Sequence, residues 1–163
     1  KTLRGSGEAE EFLKALPHSR VEENQIHCFL LEREKDFGFV ISEIERFLPY
    51  VDNWATCDQL RPRCFQKNRK ALLPYIRKWI ASDEPFTIRF GIGMLMVHFL
   101  DDGYDKTLLE LPASVDSEEY YVRMIIAWFF ATALAKQYAD ALPYITTHRL
   151  DKWTPNQTIP PRM

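Results

Sequence analysis

Met124-Ile125-Ile126-Ala127-Trp128-Phe129-Phe130-Ala131-Thr132-Ala133-Leu134-Ala135 contains a single polar residue, Thr132. Just upstream, Asp116-Ser117-Glu118-Glu119 has the form of a capping box, an acid with a glutamate three residues on, and predicts a helix from about Ser117 to Tyr138. A helix that is apolar on every side must be surrounded by other helices. At twelve residues the apolar run is too short to cross a bilayer. The chain is therefore expected to be all-α, with this helix inside it.

Working outward, the neighbouring segments supply the surrounding helices. Phe86–Leu100 precedes it, followed by a turn at Asp101-Asp102-Gly103 and a short helix near Lys106–Leu111. Ala139–Thr147 follows it, and Pro155, Pro160 and Pro161 predict an irregular end. In the first half, Glu8–Leu16 reads as a helix ended by Pro17, and Val21–Glu34 as an amphipathic one. Asp36 is placed to cap a third helix whose apolar set is Phe37, Val40, Ile41, Ile44, Phe47 and Leu48. Between Arg63 and Ala81, Pro74 predicts two helices, because proline removes a donor and clashes one turn back. Lys1–Gly7 is polar and reads as a fraying end.

Leu-Pro recurs at Leu16, Leu48, Leu73, Leu111 and Leu142, at spacings of 32, 25, 38 and 31 residues. That is close to the period of helical-pair repeats, each of which needs its neighbours to bury its apolar face. The expected architecture is a HEAT-like or armadillo-like α-α superhelix over residues 1–163, in one domain, although Leu-Pro also marks ordinary helix ends.

Composition is that of an ordinary globular chain: 46% apolar, 27% charged and only six glycines. Three cysteines, Cys28, Cys57 and Cys64, with no close pair, indicate neither a disulfide framework nor a zinc finger, so a reducing cytoplasm is expected. No N-terminal apolar segment with a cleavage site is present, and no membrane association is expected. Net charge is −2, but the seven basic residues from Gln59 to Ser82 have no acid among them, leaving 14 basic and 23 acidic residues elsewhere. A basic segment on an acidic body focuses field on one surface, as a nucleic-acid binder requires; a solvated helix face has the same composition.

Few residues carry a chemical signature. Phe90-Gly91-Ile92-Gly93 lies within a helical pattern and lacks a preceding strand and a third glycine, so both glycines read as close helix contacts. His18, His27, His98 and His148 have no metal-ligand spacing and read as surface or satisfied core residues; no metal and no cofactor are expected. Cys57 beside Asp58 reads as a small buried apolar residue rather than a nucleophile. In Leu48-Pro49-Tyr50-Val51-Asp52-Asn53-Trp54-Ala55-Thr56-Cys57-Asp58, an indole and a carboxylate four residues apart follow a helix-starting Asp or Asn and share one helix face. On residues alone, Trp54 and Trp128 are equally well core residues, Asp58 a capping or surface acid and Arg89 a helix-surface charge.

Asn53-Trp54-Ala55-Thr56-Cys57-Asp58, Lys78-Trp79-Ile80-Ala81-Ser82-Asp83, Arg89-Phe90-Gly91-Ile92-Gly93-Met94-Leu95-Met96 and Glu118-Glu119-Tyr120-Tyr121-Val122-Arg123-Met124 through Ile126-Ala127-Trp128, in that order, resemble the AlkD-like DNA alkylation repair proteins. The resemblance runs from about Glu11 to Ile159. It implies a C-shaped stack of HEAT-like repeats gripping duplex DNA, and a monofunctional glycosylase that removes cationic N-alkylated purines such as 3-methyladenine and 7-methylguanine. By the same resemblance, Asp58 corresponds to the catalytic carboxylate, Trp54 and Trp128 to the tryptophans that pack against the lesion's deoxyribose, and Arg89 to an arginine on the DNA-facing helix. Arg61, Arg63, Lys67 and Lys70 would contact phosphates; Arg61 and Arg63 depart from the family's usual run and are assigned only generic backbone contact. Alkylated duplex DNA is the expected partner, with no obligate protein partner.

Family members begin with further helices, one of them associated with DNA contact, and this chain is expected to lack them. Asp151–Ile159 is similar to the family's approach to its last helix, which Pro160-Pro161 cannot continue. The chemistry suits the residue types: a cationic base leaves neutral and needs no general acid, while a carboxylate and indole faces stabilise an oxocarbenium-like sugar. A noncatalytic helical-repeat module that binds DNA or protein is the alternative.

Overall fold

The computed structural model describes residues 7–147 and 149–150. Among these, the α-helices are α1 (Gly7–Lys14), α2 (Val21–Arg33), α3 (Phe37–Phe47), α4 (Trp54–Gln59), α5 (Arg69–Ile80), α6 (Pro85–Phe99), α7 (Glu110–Ala113), α8 (Tyr120–Lys136) and α9 (Tyr138–Thr146). Turns of 3₁₀ helix occupy Leu48–Tyr50, Arg63–Lys67 and Lys106–Leu109, and the described residues form no strand. The protein is all-α, as the apolar run requires. It divides into two compact units, Lys1–Leu72 and Leu73–Met163. The expectations for Lys1–Ser6, His148 and Asp151–Met163 lie outside the described residues.

In the first unit α2 packs against α1, α4 and the Arg63–Lys67 turn. Leu13, Leu31, Val40, Ile44, Phe47, Leu60 and Phe65 are buried there. α3 begins where expected, its first turn capped by Asp36 Oδ1, which accepts from Phe39 N at 3.0 Å. α2 begins with Glu23 Oε2 accepting from Ser19 N and Arg20 N at 2.8 and 3.0 Å. His27 is fully buried, stacked on Phe47 with ring centroids 4.0 Å apart, and its Nδ1 lies 3.0 Å from Nε2 of His18. His18 in turn stacks on Phe12 at 4.5 Å. Burial, then the charges of His18 and Arg46, push His27 down to about 3, so it serves as a neutral aromatic that packs α1 and α3 around α2.

In the second unit α8 is the inner helix. Val122, Ile125, Ile126, Ala127, Phe129, Phe130 and Ala133 are buried, and α6, α7 and α9 pack against it. Trp128, in the middle of that apolar run, is 42% exposed. Gly91 of α6 allows close approach to α5: a Cβ there would lie 2.9 Å from Ile80 Cγ1 and 3.0 Å from Ile80 N. A Cβ on Gly93 would meet nothing within 4 Å, so the close contact expected of both glycines is made by Gly91 alone. Gly103, at φ +76°, makes the turn expected after α6. Around it, Gln137 Nε2 donates to Leu100 O at 2.9 Å and Lys136 pairs with Asp101.

Three expectations need correction. Pro74 does not break α5, and the interruption falls at Asn68, between the Arg63–Lys67 turn and the helix. Pro74 deprives only the carbonyl of Lys70 of its helical partner, and that exposed residue sits in the first turn, where a carbonyl can tilt out to solvent. α8 starts at Tyr120, not Ser117, and ends at Lys136. Ser117 Oγ accepts from Glu119 N at 3.2 Å while its carbonyl accepts from Arg123 Nε at 2.9 Å, holding it in the lead-in. Leu-Pro marks no single structural position: it follows α1, forms the Leu48–Tyr50 turn, and lies within α5, α7 and α9.

Candidate functional site

α4 is six residues long, too short to persist alone, and tertiary packing holds it. Asn53, extended at φ −145° and ψ 151°, accepts from Thr56 N through Oδ1 at 2.9 Å, which fixes Trp54 as the first helical residue. Thr56 and Cys57 are buried on the inward side, and Thr56 O lies 3.6 Å from the Cys28 thiol of α2. Because that side is committed, the opposite side is oriented as well. Trp54 is 51% exposed and Asp58, one turn on, is half-buried.

Beyond α4 the chain turns basic. Arg61 Nε donates to the main-chain oxygen of Asp58 at 2.8 Å, closing the end of the helix. Arg63 donates from Nε and Nη2 to Oε1 of Glu32 on α2, at 2.9 and 2.7 Å, but its side chain is largely exposed. Arg63 and Lys67 line a cleft of about 480 Å³ with Arg33 and Lys35, at the corner between α2 and α3. Lys70 is exposed in the first turn of α5. Arg33 and Lys35 carry no signal in the sequence, where Glu32, Glu34 and Asp36 offset them. The structure sends Glu32 to Arg63, Glu34 to the main-chain N of Lys35 and Asp36, and Asp36 to Phe39.

Arg89 and Trp128 belong to the second unit and meet there. Arg89 is 2% exposed; its Nη1 donates to Tyr121 O at 2.8 Å, and its Cζ lies 5.0 Å from the Trp128 ring centroid and 6.0 Å from that of Tyr121. The guanidinium thus ties α6 to the first turn of α8 and stacks on the exposed indole. Tyr121, which sequence reasoning does not single out, contributes through its carbonyl, an atom common to every residue type and so silent in a sequence.

The three cysteines are buried thiols, none of them in a disulfide. Burial pushes the Cys28 thiol up to about 12 and the Cys64 thiol up to about 11, so both are protonated at neutral pH. Among the described residues no three His, Cys, Asp or Glu side chains are grouped to hold a metal ion, and no helix is long and apolar enough to cross a membrane.

An exposed indole one turn from a carboxylate, with basic side chains following, is a surface suited to nucleic acid rather than to a small apolar ligand. Comparison with curated proteins and with solved structures returns no match. The model of a family described as DNA alkylation repair enzyme, however, matches residues 1–157. That match supports a role in DNA alkylation repair, with DNA as the substrate. The chain belongs to the DNA alkylation repair enzyme family.

Proposed function

We propose that this protein is a monofunctional DNA glycosylase that hydrolyses the N-glycosidic bond of cationic N-alkylated purines, 3-methyladenine and 7-methylguanine among them, in duplex DNA. The observation that carries the reading is α4, which presents a half-exposed Trp54 and Asp58 one turn apart on a short helix fixed from behind. An indole left in solvent at a position locked by a cap is unexplained by packing and fits a contact surface.

The alkylated base carries a positive charge and departs as a neutral molecule, so the electron pair of the breaking bond is accepted without protonation. Positive charge then develops on the sugar. Asp58 stabilises that charge and accepts the proton that water loses as its oxygen bonds to C1′, which leaves a neutral abasic site. Trp54 and Trp128 lend electron-rich faces to the deoxyribose, and Arg89 acts through Trp128 by holding its indole. Arg61, Lys67 and Lys70 contact backbone phosphates and carry no sequence preference. The scaffold in this reading is a HEAT-like repeat array whose open surface reaches a base still in the stack, in contrast to enzymes that extrude their target into a pocket.

The test is release of free 7-methylguanine and 3-methyladenine from alkylated duplex DNA, by the wild-type chain and by Asp58→Asn. The variant keeps the size and polarity of the side chain and loses its charge. Its release rate is expected to fall by two or more orders of magnitude, about 3 kcal/mol of transition-state stabilisation. Absence of release from folded wild-type protein would leave a noncatalytic helical module in place of the glycosylase.

A further inference from the structure

We propose that the cleft between the α2–α3 corner and the Arg63–Lys67 turn is a phosphate-ester site that clamps the DNA backbone through Arg33, Lys35, Arg63 and Lys67. The inference rests on DNA being the substrate and extends it to a defined place and to two residues, Arg33 and Lys35, outside the sequence's basic segment.

Four cationic side chains line this cleft against one carboxylate, Glu34. Glu34 is 1% exposed, and its Oε1 accepts from Lys35 N at 2.6 Å and Asp36 N at 3.0 Å, so the acid is turned into its own backbone turn. The cations are thereby left as the charge that a ligand meets. Among the described residues no carboxylate pairs with Arg33, Lys35 or Lys67. Arg63 is held by Glu32 in an exposed ion pair, an interaction weak enough for a phosphate to compete with it. The protonated thiol of Cys64 adds apolar surface to the floor and no opposing charge.

The volume, about 480 Å³, exceeds one phosphate and suits a short run of sugar-phosphate. Arginine and lysine are the side chains that match phosphate oxygens, the first as a fork and the second as a point charge. Charge of this kind positions a strand and reads no base. The same chemistry would also hold a free nucleotide, so the experiment separates the two sources.

Binding of a fluorescent undamaged duplex is measured by anisotropy across a range of potassium chloride, for wild type, Arg33→Gln, Lys35→Gln, Lys67→Gln and, as a control, Lys14→Gln. Lys14 is exposed on α1 and does not line the cleft. Each cleft variant is expected to bind more weakly and to lower the log–log salt slope by about one, with Lys14→Gln unchanged. Titration of dAMP and of inorganic phosphate is expected to show no competition below millimolar concentration. Wild-type slopes in all three cleft variants would overturn the proposal. So would tight dAMP or phosphate binding that the variants abolish while duplex binding persists, since the cleft would then serve a free phosphate monoester. The substituted side chains are exposed, and an unchanged thermal midpoint checks that each variant is folded. Base release is scored separately: a slope that falls in cleft variants of a protein without release refutes the glycosylase and keeps the clamp, and the reverse result refutes the clamp alone.

Discussion

A buried guanidinium and a buried imidazole show how single residues divide labour in this protein. Arg89, 2% exposed, is partnered by the Tyr121 carbonyl, which accepts from it, and by the Trp128 ring 5.0 Å from its Cζ. His27 gives up its proton, with a value pushed down to about 3 by burial and by neighbouring positive charge. The unfolded chain, at the ordinary value of 6.5, binds a proton that the folded chain refuses. Stability contributed by neutral His27 is therefore full above about pH 6.5 and is lost as pH falls toward 3, at about 1.4 kcal/mol per pH unit for one proton. His18, also lowered chiefly by burial, acts in the same direction. Urea denaturation from pH 7.5 to 4 is expected to show this decline in wild type. In His27→Phe, which retains a ring on Phe47 and cannot titrate, the decline becomes shallower; equal slopes in the two proteins would show that the imidazole is not the sensor.

Among the elements, α6 carries an internal comparison. Gly91 and Gly93 lie two residues apart in one helix and are alike in sequence, but only Gly91 meets a neighbouring backbone. Gly91→Ala must separate α6 from α5 and is expected to cost about 1–3 kcal/mol. Gly93→Ala, with open space where its Cβ would sit, is expected to gain up to about 1 kcal/mol from reduced chain entropy. Thermal melts of the two variants should shift in opposite directions, and a downward shift in both would mean that the space at Gly93 is not accessible to a methyl group. A GxG pattern announces tolerance for small residues without saying which of them a partner helix touches. The same limit applies at other positions. Periodicity reveals the helices, since their apolar faces are local, and Asp36 and Asn53 are legible as caps because capping is local too. The lead-in at Ser117 is not, because the bond that holds it comes from Arg123 inside the helix it precedes. Pro74 misleads because the cost of a helical proline depends on where in the helix its orphaned carbonyl emerges.

At the scale of the whole molecule, the charge is −2, yet the substrate of its family is a polyanion. Distribution resolves the conflict. The basic run from Gln59 to Ser82 is legible because no acid interrupts it, whereas Arg33 and Lys35 stay hidden among Glu32, Glu34 and Asp36 until the fold assigns each acid a partner. Trp54 and Asp58 are legible as a pair through their spacing of four residues, but their role, and any link to the distant Trp128, come only from resemblance, since residues far apart in a chain have no shared signature of their own. An overall negative charge weakens long-range attraction to DNA and leaves binding dependent on a local patch. Counterion release from the four cleft cations predicts a log–log salt slope of at least about −3.6, so that raising salt from about 50 to about 200 mM should weaken duplex binding about 150-fold. Affinity should also be indifferent to base sequence, because phosphate contacts carry none. A salt series on two duplexes of unrelated sequence checks both statements together. A shallow slope, or a strong preference for one duplex, would mean that the protein holds DNA by base edges or apolar contact in place of its basic patch.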